Sequence, residues 1–268
     1  MRTIKDIELG GSPILAAHTL RMQLWDKCFA AVVTSATLTA LNQFHRFNMR
    51  SGVPKESEYL RVVSPFDFKE NATLLVPKLL HEPNKADEHT KEIIQYLDAE
   101  IDVLGASLVL FSSRKQMEAV ADGIKAELKD IMLVQGEQSK RIILESHKGS
   151  IDKEKGSLLL GLASFAEGVD LPGKYLTHVV IAKIPFSVPD DPVDATLAEW
   201  IQKRGGNPFM EISIPDASLK LVQATGRLLR SEKDSGKISI LDKRLITKRY
   251  GRNLIDSLPP YNLKLEAN

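Results

Sequence analysis

Apolar residues along this chain follow two rhythms, short unbroken runs and longer stretches in which they recur every three or four positions. The runs near 31–33, 60–63, 73–76, 107–111, 131–134, 157–162, 178–184 and 237–241 predict strands. The longer rhythm predicts helices over 14–27, 41–47, 88–103, 114–128, 140–148, 193–203, 217–230 and 248–258. Strands that alternate with helices pair in parallel, because a parallel neighbour needs a crossover, so the pattern predicts a three-layer α/β/α fold with a mainly parallel sheet. Residues 186–194 break the alternation. Their sequence, with Ser187-Val188-Pro189-Asp190-Asp191-Pro192 at its centre, cannot be regular helix, and the adjacent aspartates read as a turn and helix cap in preference to an acid/base pair.

Three segments put polar chemistry at element ends. In Gln223-Ala224-Thr225-Gly226-Arg227-Leu228-Leu229-Arg230, steps of four and then three residues place Gln223, Arg227 and Arg230 on one face of the predicted helix. Two crowded guanidinium groups cost roughly a few tenths of a kcal/mol, which a nucleotide phosphate would offset; the alternative is a solvated basic stripe. The predicted strand 157–162 empties into Ala163-Ser164-Phe165-Ala166-Glu167-Gly168-Val169-Asp170-Leu171-Pro172-Gly173, at the strand end where α/β sheets bind ligands. There Gly168 lets a backbone approach a ligand and Asp170 offers a carboxylate to a ribose hydroxyl or to an arginine, unless this is an ordinary acidic loop. Thr34-Ser35-Ala36-Thr37-Leu38 follows the first predicted strand; its hydroxyls either bridge two sites or cap the helix beginning near Ala40.

In chain order, Thr34-Ser35-Ala36-Thr37-Leu38, then Ser107-Leu108-Val109-Leu110-Phe111-Ser112-Ser113, then Phe165-Ala166-Glu167-Gly168-Val169-Asp170, then Gln223 through Arg230 resemble motifs III to VI of superfamily 2 DNA helicases, more narrowly the DinG branch related to XPD and YoaA helicases. Asp242-Lys243-Arg244 and the residues around it are also DinG-like, and the resemblance covers about 12–260. It implies a RecA-like lobe spanning 28–268 after a lead-in segment and helix, 1–27. It implies Arg227 and Arg230 as arginine fingers, with Gln223 orienting them or touching the γ-phosphate. Gly168 and Asp170, with Glu167 beside them, would line the ribose side of the cleft. Ser35 and Thr37 would couple nucleotide and DNA sites, while Ser112, Glu167 and Phe186 would meet single-stranded DNA, with movement 5′ to 3′.

No Gly-x-x-x-x-Gly-Lys-Ser/Thr loop occurs, so this P-loop-type fold would lack its phosphate cradle. Asp87-Glu88-His89 follows no apolar strand and reads as the exposed start of a helix. The chain therefore looks like the C-terminal portion of a longer helicase, inactive alone, sharing ATP and Mg²⁺ with an N-terminal motor lobe. The competing readings are a non-catalytic nucleic-acid or protein binding module, and a phosphotransfer enzyme complete in itself.

Composition adjusts this picture in three places. The net charge is only +1, yet ten Lys/Arg against three Asp/Glu between Lys220 and Arg252 predict a positive end for DNA phosphates or a merely solvated face. Seven acidic residues against two basic ones between Glu82 and Asp102 predict the opposite elsewhere. Cys28 is the sole cysteine and reads as a core residue; an iron–sulfur cluster of the kind many DinG-like helicases carry would lie upstream. No run approaches the ~20 apolar residues of a membrane span, no metal-ligand spacing is present among the histidines, and a cytoplasmic location is expected.

Overall fold

The computed structural model describes residues 11–166, 168–187 and 191–266. The chain packs as two compact units, Met1–Leu60 with Ser187–Pro215, and Arg61–Phe186 with Asp216–Asn268. The larger unit holds a seven-stranded sheet of β1 (Ala72–Val76), β2 (Ala106–Phe111), β3 (Met132–Val134), β4 (Ser157–Leu162), β5 (His178–Ile181), β6 (Gly236–Ile240) and β7 (Asn262–Leu265). Its order is β3-β4-β2-β5-β6-β1-β7, and every neighbouring pair is parallel.

The central strands carry unbroken apolar runs because both of their faces are covered. All of β2 is buried, and Val109 lies in register with Leu160 and Val180, while Leu108 lies in register with Leu159 and Val179. Successive residues point to opposite faces, so each triplet supplies a different layer of the core. Val109, Leu160 and Val180 share their layer with Ile93 and Leu97 of the helix Ala86–Glu100, and with Met117 and Val120 of the helix Arg114–Gly123. These pairs sit at helical spacings of four and three, which fixes one face of each helix against the sheet. Burying each such side chain contributes about 1.5–3 kcal/mol. Ser113 and Ser139 start the helices Arg114–Gly123 and Lys140–Asp152 by accepting hydrogen bonds from the N–H groups of Gln116 and Ile142.

Several elements depart from the sequence expectation. Residues 31–33 and 60–63 form no strand; Val32, Val33, Leu60, Val62 and Val63 are exposed, and no described strand lies alongside either run to complete a ladder. Cys28, expected in the core, is exposed together with the apolar run it precedes. The helix expected over 41–47 is His45–Ser51. The helix over 114–128 divides after Gly123, where Ile124 turns extended, and Ala126–Lys129 is a separate turn. The helix over 217–230 starts earlier and stops earlier, at Ile214–Thr225, because Gly226 ends it. Five residues of π-helix, Phe209–Ser213, precede it where Pro215 withholds an N–H from the helical ladder. Strand β7 has no counterpart among the expected strands; four exposed residues after two prolines carry little apolar signal.

In the smaller unit, the Trp25 indole N–H donates to the Ser51 carbonyl at 2.7 Å and Phe44 packs on Tyr59 with ring centroids 4.8 Å apart. Asp191 caps the helix Pro192–Lys203 by accepting from the Val193 N–H at 2.7 Å, the structural role expected of it; Asp190 lies outside the described residues.

Three histidines are buried, each with at least one ring nitrogen hydrogen-bonded. His89 donates to the Leu241 carbonyl at 2.8 Å, His147 donates to the Tyr175 carbonyl at 2.7 Å and pairs with the Ser157 hydroxyl, and His178 pairs with the Ser239 hydroxyl at 2.8 Å. Burial holds all three below the ordinary imidazole value, with His178 brought down to about 4. Each is neutral when folded and takes up a proton on unfolding below about pH 6.5, so their contribution is complete above that pH and is lost as pH falls. For His178 the loss runs from about pH 6.5 to about 4 and reaches about 3 kcal/mol. Urea midpoints for this chain should fall between about pH 7 and pH 4.5, and His178→Gln should flatten the decline. A variant with the same pH slope as the parent would contradict this account.

Candidate functional site

The carboxyl ends of β4, β2 and β5 lie side by side, and the chain leaves β2 toward β3 on one side but leaves β5 toward β6 on the other. Diverging connections open a crevice at such a point. A cleft of about 200 Å³ occupies it, floored by Leu110, Phe111 and Ile181 and edged by Ser112, Ser164, Gln223 and the cations Lys183, Lys220 and Arg227. Among the described residues that line it there is no carboxylate. Lys183 is half-buried at its edge, and burial first, then the nearby Arg244 charge, lowers its ammonium pKa.

The two arginines of 223–230 come together by a route that differs from the helical expectation. Beyond Thr225 the chain makes tight turns, with the Arg227 and Leu228 N–H groups donating to the carbonyls of Ala224 and Thr225. Leu228 and Leu229 are buried and pin this turn to the core. The flanking guanidinium groups then converge on one acceptor, the Val169 carbonyl, at 3.3 Å from Arg227 Nη1 and 2.9 Å from Arg230 Nη2. Gln223 remains on the helix, at the cleft edge, so one helical face does not hold all three residues.

The loop that supplies this carbonyl leaves β4 under its own constraints. A side chain at Gly161 would come within 2.7 Å of the Phe165 ring, so glycine lets Phe165 fold back onto the strand, where the Lys140 ammonium stands 5.3 Å from the ring centroid. Gly168 has φ of +69°, and a Cβ there would meet nothing nearer than Lys140 Nζ at 3.9 Å, so conformation selects glycine at this position and crowding does not. Asp170 is exposed, with Oδ1 3.6 Å from Arg230 Nε. Glu167 lies outside the described residues.

Asp234 completes the arrangement and is absent from the residues singled out in the sequence, where Asp234-Ser235-Gly236 reads as turn punctuation. Its carboxylate is buried and accepts from the Arg230 N–H at 2.7 Å, the Ser231 N–H at 3.0 Å, the Ser231 hydroxyl at 2.6 Å and the Gly173 N–H at 3.1 Å. Burial pushes its pKa upward, but these donors outweigh it and hold the group below the usual carboxylate value.

The remaining expected residues are distributed as follows. Ser112 is exposed in the loop after β2 and borders the cleft. Ser35 and Thr37 belong to the smaller unit; the Ser35 hydroxyl accepts from the Thr37 N–H at 3.2 Å, and neither caps a helix, since the next one begins at His45 with no side-chain cap. Phe186 lies under the Arg244 guanidinium, 5.3 Å from its ring centroid, and meets Tyr250 edge to face at 5.9 Å. Arg244 is held by a bidentate pair with Asp242, whose fully buried carboxylate also accepts from the Ile184 N–H at 2.9 Å. The oppositely charged stretches find each other: Lys248 pairs with Glu82 and Lys237 with Glu100. Together with the partners of Arg230, Arg244 and Arg252, these ion pairs make the basic stretch a weaker positive end than its composition implies.

A parallel sheet covered on both faces, with its crevice at a switch in strand order, is a doubly wound α/β fold, the architecture to which RecA-like lobes belong. Among solved structures the chain is similar to apo XPD, with a TM-score of 0.60 at 20% identity over 87% of this chain and 47% of that one, and to XPD helicase, with a TM-score of 0.58 at 21% identity over 87% and 42%. At that identity the likeness concerns the fold alone. Residues 95–261 match the family described as helicase C-terminal domain, and the chain belongs to that family. It is 45% identical over 260 residues to the ATP-dependent DNA helicase DinG of Photobacterium profundum, covering 95% of this chain and 37% of that protein. To the ATP-dependent DNA helicase DinG of Escherichia coli (strain K12) it is 36% identical over 258 residues, covering 94% of this chain and 36% of that protein. The chain thus spans little more than a third of the length of these relatives.

Asp242 anchors both Arg244 and the chain entering Phe186, so its removal breaks a buried pair and strands four donors, the Ile184 N–H and the Arg244 N–H, Nε and Nη2. Asp242→Ala should lower unfolding stability by about 3 kcal/mol in urea titration. A loss under about 1 kcal/mol would show that this carboxylate does not organise the region.

Proposed function

We propose that this chain is the second motor lobe of an ATP-dependent DNA helicase of the DinG type, a cytoplasmic DNA enzyme that moves 5′ to 3′ along single-stranded DNA. In this reading ATP is held by a first lobe of the same polypeptide, and this lobe closes over its γ-phosphate. The observation that carries the proposal is the pair of guanidinium groups gathered on the Val169 carbonyl beside a cleft edged with cations, in a chain without a phosphate loop. Residues 1–27 are then a lead-in and 28–268 act as one functional domain, although the chain packs as two compact units.

Within that arrangement, Arg227 and Arg230 turn from a neutral carbonyl toward the negative charge that develops as the phosphoryl group leaves. Gln223 orients them from the cleft edge. Gly168, Asp170 and Glu167 line the ribose side, and Ser112 and Phe186 meet DNA. The run 29–33 is apolar and exposed, as a segment would be if its ladder came from the sheet of the other lobe, and Ser35 and Thr37 then stand at the lobe junction. Among the described residues no group of three His, Cys, Asp or Glu side chains is arranged to hold a metal ion. Magnesium, the usual companion of ATP, belongs in this reading to the other lobe, and no step here runs through it. An iron–sulfur cluster would likewise need ligands beyond Cys28. Among the described residues no helix is long and apolar enough to cross a membrane.

Two measurements test the reading. DNA-stimulated ATP hydrolysis should be absent from this chain alone and appear when the N-terminal portion of the helicase is added; turnover by the chain alone would overturn the lobe assignment. In the intact helicase, Arg227→Ala should lower kcat about a thousandfold with the fold unchanged. An unaltered kcat removes the arginine from the mechanism, and a mixture of the two unsubstituted portions that binds DNA but shows no turnover marks a binding module instead.

A further inference from the structure

We infer that Asp234 is the positioning residue of the arginine pair, an inference that rests on the role proposed above for Arg230. A carboxylate offers about four acceptor positions, and here all four are used, two on each oxygen. Three of the four donors are backbone N–H groups, drawn from two separate pieces of chain. Gly173 closes the loop that carries Val169, and Arg230 and Ser231 close the turn that carries the guanidinium groups. The result is a hydrogen-bonded ring. It runs from Asp234 to the Arg230 N–H, along the Arg230 side chain to the Val169 carbonyl, through residues 170–172 to the Gly173 N–H, and back to Asp234. Asp234 is the member that sets the separation between the arginine backbone and its acceptor carbonyl.

Other residues fail in that place for identifiable reasons. Asparagine turns an NH₂ group toward N–H or O–H donors whichever way its amide lies. Glutamate is one methylene too long to take four donors already at 2.6 to 3.1 Å. The turn does not need Asp234 in order to fold, because Leu228 and Leu229 are already buried and β6 has its own ladder to β1 and β5. What the carboxylate adds is placement of the chain at Arg230. Misplacement of a reacting group by about 1 Å costs on the order of a hundredfold in rate.

The test is a double-mutant cycle on DNA-stimulated ATP hydrolysis in the intact helicase. Asp234→Asn should lower kcat about a hundredfold with KM for ATP changed by less than about threefold, and it should cost nothing further in an Arg230→Ala background. A loss of equal size in both backgrounds means that Asp234 serves stability alone and overturns the inference. Arg230→Ala with a parental kcat defeats the reading of the site itself, whereas a slow Arg230→Ala beside a parental Asp234→Asn defeats this inference only. If Asp234→Asn does not fold, Ser231→Ala removes one donor and leaves the carboxylate. It should lower kcat about tenfold, again only where Arg230 is present, and a parental rate or a loss independent of Arg230 overturns the inference.

Discussion

A parallel strand buried on both faces has no surface left for chemistry. In β2, β4 and β5 side chains alternate between two apolar layers and the backbone is spent on the ladder, so polar function is driven to the strand ends. Everything of functional interest in the larger unit obeys this constraint. The cleft lies where β2 and β5 part company, the loop that carries Val169 leaves the end of β4, and Asp242 lies two residues past the end of β6. Even the buried histidines fit it, for each meets a carbonyl or a hydroxyl inside the core through at least one ring nitrogen.

Those constraints also determine what could be read from the sequence. Central strands were legible because burial on both faces demands a continuous apolar run, and the helices between them because one face must repeat at helical spacing. The runs 31–33 and 60–63 carry the same apolar signal but no described neighbour, and a strand is a property of its ladder as much as of its residues. Strand β7 is the reverse case, a ladder with almost no signal.

At the site, sequence reasoning paired two arginines that the structure does bring together, but by a geometry other than the expected one. Helical spacing put Arg227 and Arg230 on one face, yet the helix stops at Thr225 and the two meet through a carbonyl more than fifty residues away in the chain. A contact between loops leaves no periodicity to detect. Asp234 was invisible for the same reason: an aspartate before Ser-Gly looks like any turn, and only its four donors distinguish it.

The choice of acceptor for the arginines has a consequence of its own. A buried carboxylate in the place of the Val169 carbonyl would form strong ion pairs and neutralise the cations that, in the role proposed for them, must attract a phosphate. A carbonyl orients a guanidinium while leaving its charge in place, so exchange for a more anionic ligand is favourable. The nearby carboxylates respect this division. Asp170 stands 3.6 Å away and exposed, where water weakens its hold, and the Asp234 charge is directed into backbone N–H groups in place of the guanidinium. Orientation and neutralisation are thus assigned to different groups, which leaves the arginine pair both ordered and cationic before any anion arrives.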